Sequence, residues 1–137
     1  MSPNERALSQ TVPVLVAVLV CDTAAEDPST GKKSLIGIFD RVWVGRFPTQ
    51  RPMSVYVKLT DAQGFYRIKL KYVQTQTGQP LAEVDGEAEL SDRLSSADFY
   101  VVTPPLPIPA AGRYEFQIWA NDVFLGSTFI DAIQRSA

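Results

Sequence analysis

Apolar and polar residues alternate along most of the chain. Over residues 53–60, Met53, Val55, Val57 and Leu59 fall on one side, and Ser54, Tyr56, Lys58 and Thr60 on the other. A period of two puts each set on one face of a β-strand. The same period recurs over 66–72, where Tyr66, Ile68, Leu70 and Tyr72 alternate with Arg67, Lys69 and Lys71. It recurs over 82–90, where Ala82, Val84, Gly86, Ala88 and Leu90 form a small-residue face against Glu83, Asp85, Glu87 and Glu89. A hairpin centred on Thr77 sets Lys71 opposite Glu83, Lys69 opposite Asp85 and Arg67 opposite Glu87. The two charge stripes neutralise one another. They read as cross-strand pairs on a solvated face, each worth about 0.2–1 kcal/mol, rather than as binding patches.

A second hairpin follows. Tyr114, Phe116, Ile118 and Ala120 alternate with Arg113, Glu115, Gln117 and Trp119. Asn121-Asp122 supplies a two-residue turn, since both residue types tolerate positive φ. That register pairs Ala120 with Val123, Ile118 with Leu125 and Tyr114 with Phe129, which makes the inner face apolar. It also places Trp119 opposite Phe124 on the outer face, near the tip.

The remaining segments are less regular. Residues 14–21 are almost wholly apolar and predict a strand buried on both faces. Glu26 to Gly31 is turn chemistry, as is Asp61-Ala62-Gln63-Gly64. A second strand region over 34–47 is interrupted at Gly37 and Gly45. Its Trp43 is expected in the core. Residues 92–98 form a polar loop before a short strand at 99–102. The run Thr103-Pro104-Pro105-Leu106-Pro107-Ile108-Pro109 lacks too many amide donors for a central strand. It reads as a stiff connector between two sheets, with a polyproline ligand as the alternative. Residues 1–11 form a loose arm, 12–133 a single domain, and 134–137 a tail. The pattern predicts an antiparallel β-sandwich, Ig-like in outline, with about seven to nine strands; a small β-barrel is the alternative.

Composition narrows the chemistry. The 137 residues contain no histidine, and Cys21 is the only cysteine. No Ser-His-Asp triad, Cys-His dyad or histidine zinc site can be built from them. No enzyme activity and no cofactor is expected; glycosidase-like carboxylate catalysis is the residual enzyme reading, and no carboxylate pair can be placed on one cleft. Thirteen basic residues against fifteen acidic ones give a net charge of −2, without the basic excess of a nucleic-acid binder. A single cysteine forms no internal disulfide, so a cytoplasmic location is expected. The apolar run ending at Cys21 has the outline of a lipoprotein signal. However, Glu5 balances Arg6 before it, and Val20 stands where a small residue is wanted. The run is also about half of what spans a bilayer, so no membrane span is expected.

Trp119 and Phe124 are the candidate site, as large aromatics paired across strands on the solvent side. Three occupants compete for them: the arm or a loop, a protein partner or second copy, and a sugar or other planar ligand. Asp22, Glu26, Asp27, Asp61, Asp92 and Asp98 are loop carboxylates of the type that bind calcium, but no calcium-loop spacing links them. Cys21 lies in an apolar strand, where burial makes a thiol inert.

Cys21-Asp22, Thr30-Gly31-Lys32, Ser34-Leu35-Ile36-Gly37-Ile38-Phe39-Asp40-Arg41 and Phe47-Pro48 together resemble an uncharacterised family of small bacterial β-sandwich proteins with a GK-x-S-L-I-G-x-F-D segment. The resemblance covers residues 14–60 well and the remainder by strand pattern. It implies a fold and no catalytic residues. Gly112-Arg113-Tyr114-Glu115-Phe116 is similar to a motif that opens a late strand in many Ig-like sandwiches. The expected function is a non-catalytic protein-interaction or structural module, with self-association as one of its modes. The alternative is a small-ligand or carbohydrate-binding sandwich that uses the exposed aromatics.

Overall fold

The computed structural model describes residues 7–9, 11–90 and 94–135. Residues 1–6 and 10 of the expected arm, residues 136 and 137 of the tail, and the calcium candidate Asp92 lie outside the described residues. Eleven strands are present among the described residues: β1 (Val14–Glu26), β2 (Lys33–Ile38), β3 (Arg41–Val44), β4 (Thr49–Arg51), β5 (Ser54–Thr60), β6 (Gly64–Gln74), β7 (Gln79–Leu90), β8 (Ala97–Val102), β9 (Leu106–Ile108), β10 (Gly112–Ala120) and β11 (Val123–Gln134). They form a four-stranded sheet in the order β2-β1-β5-β8, a five-stranded sheet in the order β3-β11-β10-β6-β7, and a small sheet of β4 and β9. The molecule is an Ig-like β-sandwich and not a closed barrel. The count exceeds seven to nine because β3, β4 and β9 are too short to show a period. The expected tail begins inside β11, with Gln134 paired to Val44.

The alternation works as expected in the best-patterned strands. Met53, Val55, Val57 and Leu59 are buried, as are Tyr66, Ile68, Leu70 and Tyr72. The β6–β7 register sets Arg67 against Glu87, Lys69 against Asp85 and Lys71 against Glu83. The core centres on aromatic rings. Tyr72 stacks on Tyr114 at 5.5 Å between centroids and meets Phe116 at 5.1 Å. Each buried phenol reaches backbone at an end of the sandwich. Tyr66 donates to Thr11 O at 2.9 Å, and Tyr72 to Pro107 O at 3.0 Å. Tyr114 donates to Ala110 O at 2.6 Å and accepts from Ala110 N at 3.2 Å. That local clasp is the tyrosine corner of Ig-like sandwiches.

The proline-rich run crosses from β8 in one sheet to β10 in the other. It is more than a connector, because Leu106 and Ile108 are buried and flank Pro107, which sits opposite Gln50. The first strand departs from expectation. Val14, Val16 and Leu19 are exposed, so β1 is covered on one face only. Its sheet is antiparallel, and one face of such a sheet can meet water.

The β1–β2 hairpin explains part of that arrangement. β1 pairs with β5 as far as Cys21, and with β2 from Cys21 to Glu26. Lys33 on β2 nevertheless donates to Asp98 on β8 at 2.9 Å, and pairs with Glu26 at 3.1 Å. Asp98 lies opposite Lys58, at the end of β5 remote from Cys21. The hairpin therefore doubles back across the four-stranded sheet. Gly37 permits this turn of chain, with φ of 71°, and any Cβ there would collide with the Asp22 carboxylate held by Arg51.

Candidate interaction surface

The β10–β11 hairpin turns where the sequence predicts. Asn121 and Asp122 have φ of 48° and 65°, and Trp119 pairs with Phe124. Past that pair the expected register fails. A bulge after Phe124 makes Ile118 face Gly126, Tyr114 face Ile130 and Glu115 face Phe129. Packing accounts for the slip. Leu15 from β1 fills the space at Gly126, where an added Cβ would lie 2.7 Å from its Cδ2. Leu125 becomes the extra residue, and every later side chain changes face. Ile130 and Ala132 are therefore inside, and Phe129 is outside at 41% exposure.

Trp43 is a second correction. β3 runs parallel to β11, with Val42 beside Ala132 and Trp43 beside Ile133. Val42 and Val44 are buried, so the residue between them points out, and Trp43 is 58% exposed. Val42, Trp43 and Val44 are three apolar residues in a row, so no local pattern says which parity faces in.

The predicted pair therefore belongs to a larger stripe. Trp119 and Phe124 meet edge to face at 5.4 Å, and Phe124 is 48% exposed. Phe129 and Ile133 lie further along β11 on the same face, interspersed with Ser127 and Asp131, and Trp43 stands beside Ile133 on β3. Two cations cap rings in the stripe. Lys71 Nζ sits 4.1 Å over Trp119. The Arg113 guanidinium sits 3.6 Å over Phe129 while Nε and a terminal nitrogen bond both oxygens of Asp131, at 2.8 and 3.1 Å. This planar fork holds the guanidinium in place over the ring. The bond to Asp131 raises the Arg113 pKa, and the bond from Arg113 lowers that of Asp131. Trp119 Nε1 donates to Gln117 Oε1 at 3.0 Å.

Of the other candidates, Glu26 and Asp98 converge on Lys33, and the rest are held separately. The described end of the arm is docked, with Ser9 N donating to Phe65 O at 2.9 Å and Asn121 Nδ2 donating to Ser9 O at 3.2 Å. Asp22 pairs with Arg51, Asp27 accepts from Ser29 within its own turn, and Asp98 holds Lys33 and Tyr56. No cluster of three metal-ligating side chains occurs among the described residues. Burial, with the Asp22 charge added, raises the Cys21 thiol pKa. No helix among the described residues is long and apolar enough to cross a membrane.

The profile of a family of unknown function (DUF6941) matches residues 16–132. Among solved structures, an immunoglobulin-like protein from Pseudomonas aeruginosa is similar at 13% identity, with a TM-score of 0.46, over 91% of this chain and 99% of that one. No curated protein matches the chain.

Proposed function

The chain belongs to this family of unknown function, and we propose that it is a non-catalytic interaction module of the cytoplasm. It docks a protein partner or a second copy of itself through the outer face of the five-stranded sheet. The observation that carries this reading is the outer face of one sheet, where half-buried Trp119 joins exposed Phe124, Phe129 and Trp43. Aromatic rings held by a sheet lose little entropy on contact, and they dominate the cores of protein interfaces. Absence of histidine and a buried Cys21 support the non-catalytic part. Cys21 as the chain's single cysteine supports a reducing compartment. Sugar stacking is the weaker reading, because Lys71 and Arg113 already cover faces of Trp119 and Phe129.

Light scattering over a concentration series tests this. The wild type is expected to gain mass with concentration, and Trp119→Ala with Phe124→Ala to stay monomeric with an unchanged β spectrum. A wild type that remains monomeric throughout removes self-association and leaves a different protein as the partner. A double variant that loses its β circular dichroism would show the pair to be core, and the proposal would fail.

A further inference from the structure

The open side of the sandwich offers a second surface, independent of the aromatic stripe. β7 ends the five-stranded sheet and β8 ends the four-stranded sheet. Among the described residues no strand pairs with the far side of either. Between them lies an apolar cleft of about 290 Å³, with Val57, Leu70, Val84, Phe99, Val101 and Ile118 in its walls. Facing sheets normally close such a gap by interdigitating side chains. Here β7 presents its small-residue row instead, and a Cβ added at Gly86 would meet nothing within 4 Å. The cleft falls just short of the roughly 300–1,000 Å³ of pockets that hold a drug-sized ligand. It suits a few side chains arriving at a period of two.

β7 carries an acidic row on its outer side, opposite the basic residues of β6. Glu83, Asp85 and Glu87 point outward along β7. Lys69 reaches Glu83 at 3.9 Å, and Lys71 is turned to the Trp119 ring. A strand added beyond β7 would face the same acidic row from its other side.

We propose that the β7–β8 edge is a strand-accepting groove for an extended peptide that alternates apolar and basic residues. The peptide pairs its backbone with β7. Its apolar side chains fill the cleft, and its basic ones match Glu83, Asp85 and Glu87. Main-chain bonds supply affinity, and the alternation fixes register.

The test uses the full chain and two capped octapeptides, one alternating valine with lysine and the other valine with glutamate. Anisotropy titration is expected to show the lysine peptide binding at least about tenfold more tightly, because like charges face each other in the glutamate complex. Amide exchange should slow in β7 at every second residue. Gly86→Leu, which fills the cleft, should weaken the lysine peptide by about tenfold, the loss of one well-placed contact. It should do so without lowering the melting temperature. Asp85→Asn with Glu87→Gln should weaken it and flatten its salt dependence. Trp119→Ala with Phe124→Ala should bind like the wild type, so this idea and the aromatic-face proposal fail separately. A folded wild type that ignores the lysine peptide would make the acidic row only a guard against edge pairing. Equal affinity for both peptides would also overturn the proposal. So would an apolar dye that Gly86→Leu displaces while β7 exchange stays fast under peptide, since the cleft would then take a small apolar molecule.

Discussion

The five-stranded sheet carries aromatic rings on both faces, and the two sets are held in different ways. Inside, Tyr66, Tyr72, Tyr114 and Phe116 are buried, and each phenol is anchored on backbone at Thr11, Pro107 or Ala110. Outside, Phe124, Phe129 and Trp43 are about half exposed, and Lys71 and Arg113 lie on ring faces. A buried phenol must find a partner, so the inner rings fix the geometry of the ends they reach. An outer ring keeps one side to water and can change without disturbing the sheet. The inner set is enclosed by the fold, and the outer set keeps ring surface in water.

The largest break in that contrast comes from the centre. Phe116→Ala removes a wholly buried ring from the Tyr72 stack and is expected to cost about 3–5 kcal/mol. The urea midpoint reads this directly. Tyr114→Phe keeps the ring and removes the clasp on Ala110. Leaving the Ala110 donor and acceptor without that partner should cost about 1–3 kcal/mol. If it costs nothing, the corner is ornamental and the inner phenols are plain hydrophobes.

Tyr56 sharpens the contrast through pH. It lies on the outer side of the four-stranded sheet and donates to Asp98 at 2.7 Å, a carboxylate in place of a carbonyl. Burial opposes ionisation of Asp98, but the bonds from Tyr56 and Lys33 and the Lys33 charge more than reverse this, so its pKa is lowered. A lowered acid contributes stability above its unfolded pKa of about 3.9, and that stability is lost as pH falls through the folded value. Bonds to Asp98 and Glu26 raise Lys33, whose contribution holds below its unfolded pKa of about 10.4 and fades above it. Burial and then Asp98 push Tyr56 up to about 12, so its share is present below about 10 and lost as pH rises toward 12. Wild type should therefore melt higher than Asp98→Asn at pH 7, and the gap should close as the pH drops below about 4. A gap that persists there would show that the charge on Asp98 does not hold the hairpin.

Most of the sandwich was legible where one face was apolar and the other charged. Arg67, Lys69 and Lys71 opposite Glu87, Asp85 and Glu83 is the register that the alternation predicts. Legibility failed where both faces are apolar. Residues 14–21 give no parity, so the open side of β1 was hidden. The same holds around Trp43. The β11 bulge depends on Leu15 meeting Gly126, a contact more than a hundred residues apart in sequence, and no local pattern records it. The bulge places Phe129 at the surface. The candidate site was thus half visible: the turn fixed Trp119 against Phe124, and long-range packing supplied the rest. The doubling back of the β1–β2 hairpin was also invisible, since it rests on Lys33 reaching Asp98 across the sheet.

The smallest effects belong to the outer rings, and they decide whether the contrast is one of kind. Phe129→Ser and Trp43→Ser should each shift unfolding free energy by no more than about 0.5–1 kcal/mol, as surface changes usually do. Arg113 lies over Phe129 and is itself fixed by Asp131, so these two side chains should couple. A double-mutant cycle with Phe129→Ser and Arg113→Gln should return about 0.5–1 kcal/mol, the range of an exposed cation–π contact. Arg113→Gln also breaks the Asp131 pair, so Asp131→Asn serves as the control. A coupling near zero would leave Phe129 as a ring that merely tolerates water. A coupling above about 2 kcal/mol, the desolvated range, would make the outer stripe part of the fold's own support and remove the reason to look for a partner there.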